Sequence, residues 1–434
     1  MTLCPSRKAL AVRHDDLCID DIGGGIALPV SAIRESSIHH IEFEEFTKAT
    51  FSSLLRADQK RWAAVYLRGL LSVKGRKAIR KMVSDHPESS RLAAVQSLQQ
   101  FINQSPWDWN PVRESLARIV YDQITPKAWV INEATIPKRG IHSVGVARRF
   151  VELEGRTINC QLGLGLFLAT EYGALPVDWC LALGDEWINE RERRERTRVP
   201  EHIDRQSPSD HVLEMTDRLV CDWRLPLAPV VANACYNSMD AVRLISGFTE
   251  RNIDFLLEVP AFLEAVAHPY LTRVRTDVPP ACNGVPREPT TVQEACIALG
   301  GAPQRATVVP VGHRRRSLSV RSSYIRIPGI RIPGHCNVPT YRLYAELSPV
   351  EGRPTRFWIT NLLHRRIDEM VDLALLHRQS LGDLSEMQES FGLRDFEGRS
   401  YPGWHHHMTL VSVAYGYHRL VSESDQLIAL AGSL

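Results

Sequence analysis

Two short apolar runs end on side chains that can hold or move charge. Ala128-Trp-Val-Ile131 runs into Asn132 and Glu133, and Pro229-Val-Val-Ala232 runs into Asn233, with Cys235 two residues beyond. Nearer the C-terminus, Asp383 and Glu386 follow Leu381, and three histidines occupy 405–407. Oxygen donors at strand ends would suit a hard cation if the fold brought them together, and a carboxylate brought beside a thiol would suit acid–base and nucleophilic chemistry. Taken singly, each residue has a plainer role. Asparagine commonly closes a strand at a turn, Glu133 reads as a surface acid, and Cys235 reads as a small buried residue. Three histidines in a row point in different directions, which makes a poor metal cage.

The bulk composition is that of a globular protein. The chain has 434 residues, 44% hydrophobic and 24% charged, long enough for two or three structural units. No apolar run reaches the roughly 18 residues that span a bilayer. The opening stretch MTLCPSRKALAVRHDD lacks the apolar segment of a secretory signal, so a cytoplasmic address and no membrane are expected. Nine cysteines, odd in number and never spaced Cys-x-x-Cys, exclude a disulfide framework and a zinc ribbon. The net charge of +2 says little, but its distribution says more. Lys60, Arg61, Arg68, Lys74, Arg76, Lys77, Arg80 and Lys81 follow one another without an acid between Asp58 and Asp85. Eight arginines from Arg305 to Arg342, among them Arg314, Arg315, Arg316 and Arg321, form a second acid-free block. A single charge run is most often a solvated face; two such blocks suit a phosphate backbone, where each cation releases a counterion.

Hydrophobic spacing divides the chain. Residues 1–40 have no period and read as an extension. Residues 41–125 are helical, with Trp62, Val65, Tyr66, Gly69 and Leu70 at three- and four-residue steps. Ser105-Pro106 and Asn110-Pro111 read as helix starts, and Trp107 and Trp109 as core anchors. From about Lys127, strands alternate with helices, which predicts a mixed α/β core. Its first part spans 126–260, with strands at 128–131, 159–169 (half-buried, by alternation), 229–232 and 254–259. The Pro-, Gly- and Arg-rich stretch 261–340 reads as an insertion with some β structure. The core resumes over 341–434 with two strands, a helix over 362–393 and a closing helix over 409–420.

Several motifs keep an order that carries a resemblance. Ser105-Pro-Trp-Asp-Trp109 precedes Ile131-Asn-Glu-Ala-Thr-Ile-Pro-Lys-Arg-Gly140 and His142-Ser-Val-Gly-Val146. Asn159-Cys-Gln-Leu-Gly163, Arg191-Glu-Arg-Arg194 and Val230-Val-Ala-Asn-Ala-Cys-Tyr236 follow, and Phe396-Glu-Gly-Arg-Ser400 leads into His405-His-His407. Over roughly 43–420 this resembles the transposases of insertion-sequence family 701, members of the DDE endonuclease superfamily. The resemblance implies an RNase H-like core, an N-terminal helical DNA-binding region, and an insertion. It also implies three carboxylates around two magnesium ions that clamp an in-line phosphoryl displacement. A run like His405–His407 occurs in the family, so packing or DNA contact is expected there.

This chain departs from the family at each ligand position. The family's Asp-Asp-Thr-Gly falls on Asn132-Glu133-Ala134-Thr135, which puts the ligand by analogy on Glu133. Its Ala-Asp-Ala-Gly-Tyr puts the second ligand on Asn233 and a glycine on Cys235. Counting back from Phe396-Glu-Gly-Arg399 puts the third on Leu381, with Asp383 and Glu386 the nearest acids. One negative charge remains of three. The expectation is therefore a protein that binds double-stranded DNA, holds no metal and needs no cofactor, with cleavage defective; self-association into a homodimer stays open. Two alternatives stand beside it: a magnesium-dependent transposase rescued by Asp383 or Glu386, and a new enzyme using Glu133 and Cys235.

Overall fold

The computed structural model describes residues 42–151, 154–235, 239–267, 288–299, 302–308, 316–331 and 338–431. The N-terminal extension, Arg314 and Arg315 lie outside the described residues. Five helices come first: α1 (Phe43–Thr50), α2 (Ala57–Ser72), α3 (Ile79–Met82), α4 (Glu88–Asn103) and α5 (Asn110–Gln123). Asn110-Pro111 does open a helix, with proline in the first turn. Ser105-Pro106 does not. It lies in the link between α4 and α5, where Trp107 stacks between Phe101 and His406.

The sheet begins with β1 (Ala128–Pro137), β2 (Ala147–Val151), β3 (Arg156–Thr170) and β4 (Gly173–Leu181). Short helices α6 (Asp185–Asn189) and α7 (Arg191–Thr197) lead to α8 (Pro208–Asp217), whose last turn widens into a π turn over Arg218–Asp222. Ser207 caps α8 through the Asp210 amide. Next come β5 (Val230–Asn233), α9 (Ala241–Glu250) and β6 (Phe255–Val259). Then follow β7 (Glu264–Ala267), β8 (Thr290–Thr291), α10 (Val292–Leu299), β9 (Gln304–Val308), β10 (Arg316–Arg326), β11 (Tyr341–Leu347) and β12 (Pro354–Thr360). Two long helices, α11 (Ile367–Ser390) and α12 (Tyr401–Ala431), close the chain.

The twelve strands among the described residues join one sheet in the order β2-β3-β1-β5-β6-β12-β11-β10-β7-β8, with β4 on β3 and β9 on β10. An antiparallel group (β4, β3, β1) passes into a parallel trio (β1, β5, β6), the layout of an RNase H-like α/β core. Strands from 261–340 extend that same sheet: β12 pairs antiparallel with β6, and β11 and β10 continue from it.

β3 is buried at every position from Cys160 to Thr170, not on alternate ones. The small residues that made it look half-buried are small because aromatic rings lie on them. A Cβ at Gly165 would come 2.7 Å from the Trp179 ring, and one at Gly163 would come 3.1 Å from Trp404 of α12. Both faces of β3 are covered, so the two-residue period reports ring packing, with no wet face.

One buried ion cluster ties these layers. Arg113 of α5 is 1% exposed and donates from Nε to Thr409 of α12 at 2.8 Å. Its Nη1 donates to Asp178 of β4 and to the Trp179 carbonyl, each at 2.8 Å. Fully buried Asp178 also accepts from Arg218 in the π turn. Trp109 stacks on His405 beside this cluster, at 4.5 Å between ring centroids. His407 is held between the Tyr66 hydroxyl at 2.9 Å and the Gly392 carbonyl at 3.0 Å.

Removing one partner of such a buried cluster strands a charge. Asp178→Ala should cost about 3–5 kcal/mol by urea unfolding, whereas Glu195→Ala, in the exposed pair with Arg191, should leave the urea midpoint almost unchanged. Equal costs would refute the central role of the cluster. Burial, then Lys138, pulls His407 down to about 4 from an ordinary 6.5. The unfolded chain takes up this proton first, so stability present above pH 6.5 drains away as the pH falls toward 4. His407→Gln should flatten the fall in urea midpoint between those limits; an unchanged slope counts against it.

Candidate functional site

The carboxyl ends of parallel strands are where an open α/β sheet presents ligands. Here they meet α11. Asn132 of β1 is 1% exposed and its Nδ2 donates to the Ser380 hydroxyl at 3.0 Å. Ser380 in turn donates to the His377 carbonyl at 2.7 Å. Val130 pairs with Val231 in register, so Asn132 and Asn233 share a face, two residues further along adjacent strands. Asn233 pairs in register with Glu258 of β6. Its Oδ1 accepts the Cys235 amide at 2.8 Å, a turn that ends β5.

Other candidates lie elsewhere. Glu133 is partly buried on the opposite face of β1, as alternate residues of a strand must be. Leu381 is 47% exposed; the α11 residue that meets β1 is its neighbour Ser380. Asp383 is a helical turn away, where it accepts the Ala174 amide at 2.9 Å and the Tyr415 hydroxyl at 2.6 Å. Burial pushes its carboxyl above the ordinary range. Glu386 shares the Tyr415 hydroxyl at 2.9 Å. The structure thus sets Asn132 and Asn233 side by side on one face of the sheet, with Glu133 on the other face and Leu381 and Asp383 directed elsewhere.

Four charged residues in that neighbourhood were not singled out from the sequence. Glu258, 5% exposed, receives both Nε and Nη2 of Arg356 at 2.6 Å. Glu346, 6% exposed, receives Arg378 of α11 and the Trp358 indole, the latter at 3.1 Å. Tyr344 stacks on Trp358 and reaches the Met370 carbonyl of α11, which sets this face of β6, β12 and β11 under the same helix. Arg356 and Arg378, after burial itself, hold the His377 imidazole down to about 4. A lone glutamate within Phe-Leu-Leu-Glu-Val was the only sequence signal for this cluster.

The donor chemistry does not fit the two magnesium ions that the resemblance implies. Neither amide oxygen carries charge, and that of Asn233 already accepts the Cys235 amide. Among the described residues, no three of His, Cys, Asp or Glu gather closely enough to hold a metal ion. Cys235 is no activated nucleophile either: burial, then Glu258, pushes its thiol up to about 12.

The basic blocks divide between surface and interior. Arg68, Lys74, Arg76, Arg80 and Lys81 are exposed, Arg76 with Glu397 at 2.8 Å. Lys77 is buried, its amine on the Val73 carbonyl and its amide on Asp395. Arg316 begins β10. Arg321 is half-buried in β10 and draws down the thiol of Cys296 in α10 against the stronger effect of burial. An exposed groove not anticipated from sequence runs beside the end of β1, with Arg139 and Arg156 in its lining.

A thiol held near 12 is scarcely ionised at neutral pH, so Cys235 should react with iodoacetamide at least about a hundredfold slower in the folded than in the urea-unfolded chain. Peptide mass spectrometry at pH 7.5 would read this, and fast labelling in the folded state would revive a catalytic thiol. Among the described residues no helix is long and apolar enough to cross a membrane. No curated protein matches the chain. Residues 49–317 match the family described as DDE superfamily endonuclease, more than half of the length and all of the parallel trio. The chain belongs to the DDE superfamily endonucleases.

Proposed function

We propose that this chain is a relative of the insertion-sequence family 701 transposases that binds double-stranded DNA and has lost strand cleavage. One observation carries the reading: where β5 ends beside Asn132 of β1, the two side chains at the ligand positions are amides, and Glu258, the register neighbour of Asn233, already faces an arginine. In-line phosphoryl transfer by two metals needs anionic oxygen to seat them, and that is what the pocket lacks. The rescue by Asp383 or Glu386 finds no support, because both are engaged by Tyr415 away from Asn132. DNA binding is supported by the exposed cations of α2 and α3, with Arg139 and Arg156 as further phosphate contacts. A protein of this kind would regulate or compete with an active transposase, or persist as a relic of a mobile element.

Gel shifts with duplex DNA at rising salt should show affinity falling steeply. Lys74→Ala, Arg80→Ala and Lys81→Ala together should lower the log–log slope by about 0.9 for each phosphate that these cations no longer neutralise. With magnesium or manganese and duplexes taken from the flanks of its own gene, no nicked strand should accumulate. Salt-independent or absent binding would sink the DNA reading; metal-dependent nicking abolished by Asn233→Ala would restore the enzyme.

A further inference from the structure

We infer that Arg356 and Arg378 have taken the place of the divalent cations, turning the family's metal centre into an internal ion-pair network. The inference rests on the proposed loss of cleavage and goes one step further, from missing ligands to a present replacement. Glu258 is the residue on β6 level with Asn233, on the strand face that α11 covers. In an anionic pocket it would add a carboxylate beside the second ligand position. Here the Arg356 guanidinium caps it through two bonds of 2.6 Å, leaving neither oxygen open. Arg378 comes from α11 two residues before Ser380 and meets Glu346 from the helix side through a single bond from Nη2 to Oε1, the oxygen that also accepts the Trp358 indole. Arg356 therefore holds a fixed positive charge beside the second ligand position, where it also acts on Cys235 and, together with Arg378, on His377.

The consequence is that restoring the carboxylates is not enough. In Asn132→Asp/Asn233→Asp the guanidinium of Arg356 remains beside the new charges and repels an entering dication while neutralising the acids itself. Adding Arg356→Gln frees Glu258 and leaves three carboxylates with no cation among them.

Manganese binding, read as loss of the free-ion electron paramagnetic resonance signal, separates these cases without any activity assay. The wild type and Asn132→Asp/Asn233→Asp should show no saturable uptake. The triple variant should bind one ion per chain, at least about tenfold more tightly than the double variant, and its melting temperature should rise with manganese. If the triple variant does not fold by circular dichroism, the companion with Arg356→Met, which keeps the packing of the side-chain stem and removes the charge, carries the same expectation. Tight uptake by the double variant, or none by a folded triple variant, overturns the replacement by arginine. Stoichiometric uptake by the wild type would instead overturn the metal-free reading that it rests on.

Discussion

A carboxylate taken out of water must meet a positive charge, and around the ends of β5 and β6, beside the middle of β1, the protein supplies that charge itself. Glu258 and Glu346 are almost wholly buried, and an unpaired buried ion costs several kcal/mol. Arg356 and Arg378 remove that cost with short contacts to oxygen. Asn132 and Asn233, being neutral, need only hydrogen bonds, which Ser380 and the Cys235 amide provide. The acids here are paired by the protein's own guanidinium groups, while the buried Nδ1 of His377 and Nε of Arg378 find no hydrogen-bond partner among the described residues. A two-metal centre is the opposite case, in which clustered acids are tolerable only because dications bind them.

That balance depends on α11 lying over the parallel trio, and α11 is held by what packs against it. α12 crosses back beside it, with Tyr415 on Asp383 and Glu386. α12 is in turn fixed to α5 and β4 through Thr409, His405, Arg113 and Asp178. Trp404 rests on the bare backbone at Gly163, one strand away from Asn132. Acids that in linear sequence looked like replacements for the third ligand are thus occupied in joining two helices. Their position on α11 turns them toward α12 and the start of β4, not toward the strand ends.

Cation runs in the sequence correspond to three different physical situations. On α2 and α3 most of the cations stand in water, suited to phosphate. Lys77 within that run is an interior group whose amine finds a helix carbonyl. In β10 and β11 the arginines alternate with the strand, and Arg342 is spent on Ser322 and the Arg365 carbonyl, so part of that block builds the sheet. Charge along a chain reports composition; exposure is set by which face each position turns.

Local signals were enough for much of this molecule. The helical spacing before residue 125, the end of β5 at Asn233, and the alternation of strand and helix that marks a mixed α/β core all follow from short-range periodicity, which depends only on neighbours, whereas β1 runs past the expected end at Asn132 to Pro137 because β3 pairs with it along its whole length. The loss of anionic oxygen at aligned positions is likewise a property of residue type alone. Tertiary structure decided the rest, because it depends on which faces meet. It put Asn132, and not Glu133, on the side of β1 that α11 covers, since adjacent strand residues point opposite ways. It chose Ser380 over exposed Leu381, since only one side of a helix can touch the sheet. And it gathered Glu258, Glu346, Arg356 and Arg378, each from a different strand or helix, into a cluster that a one-dimensional pattern does not contain.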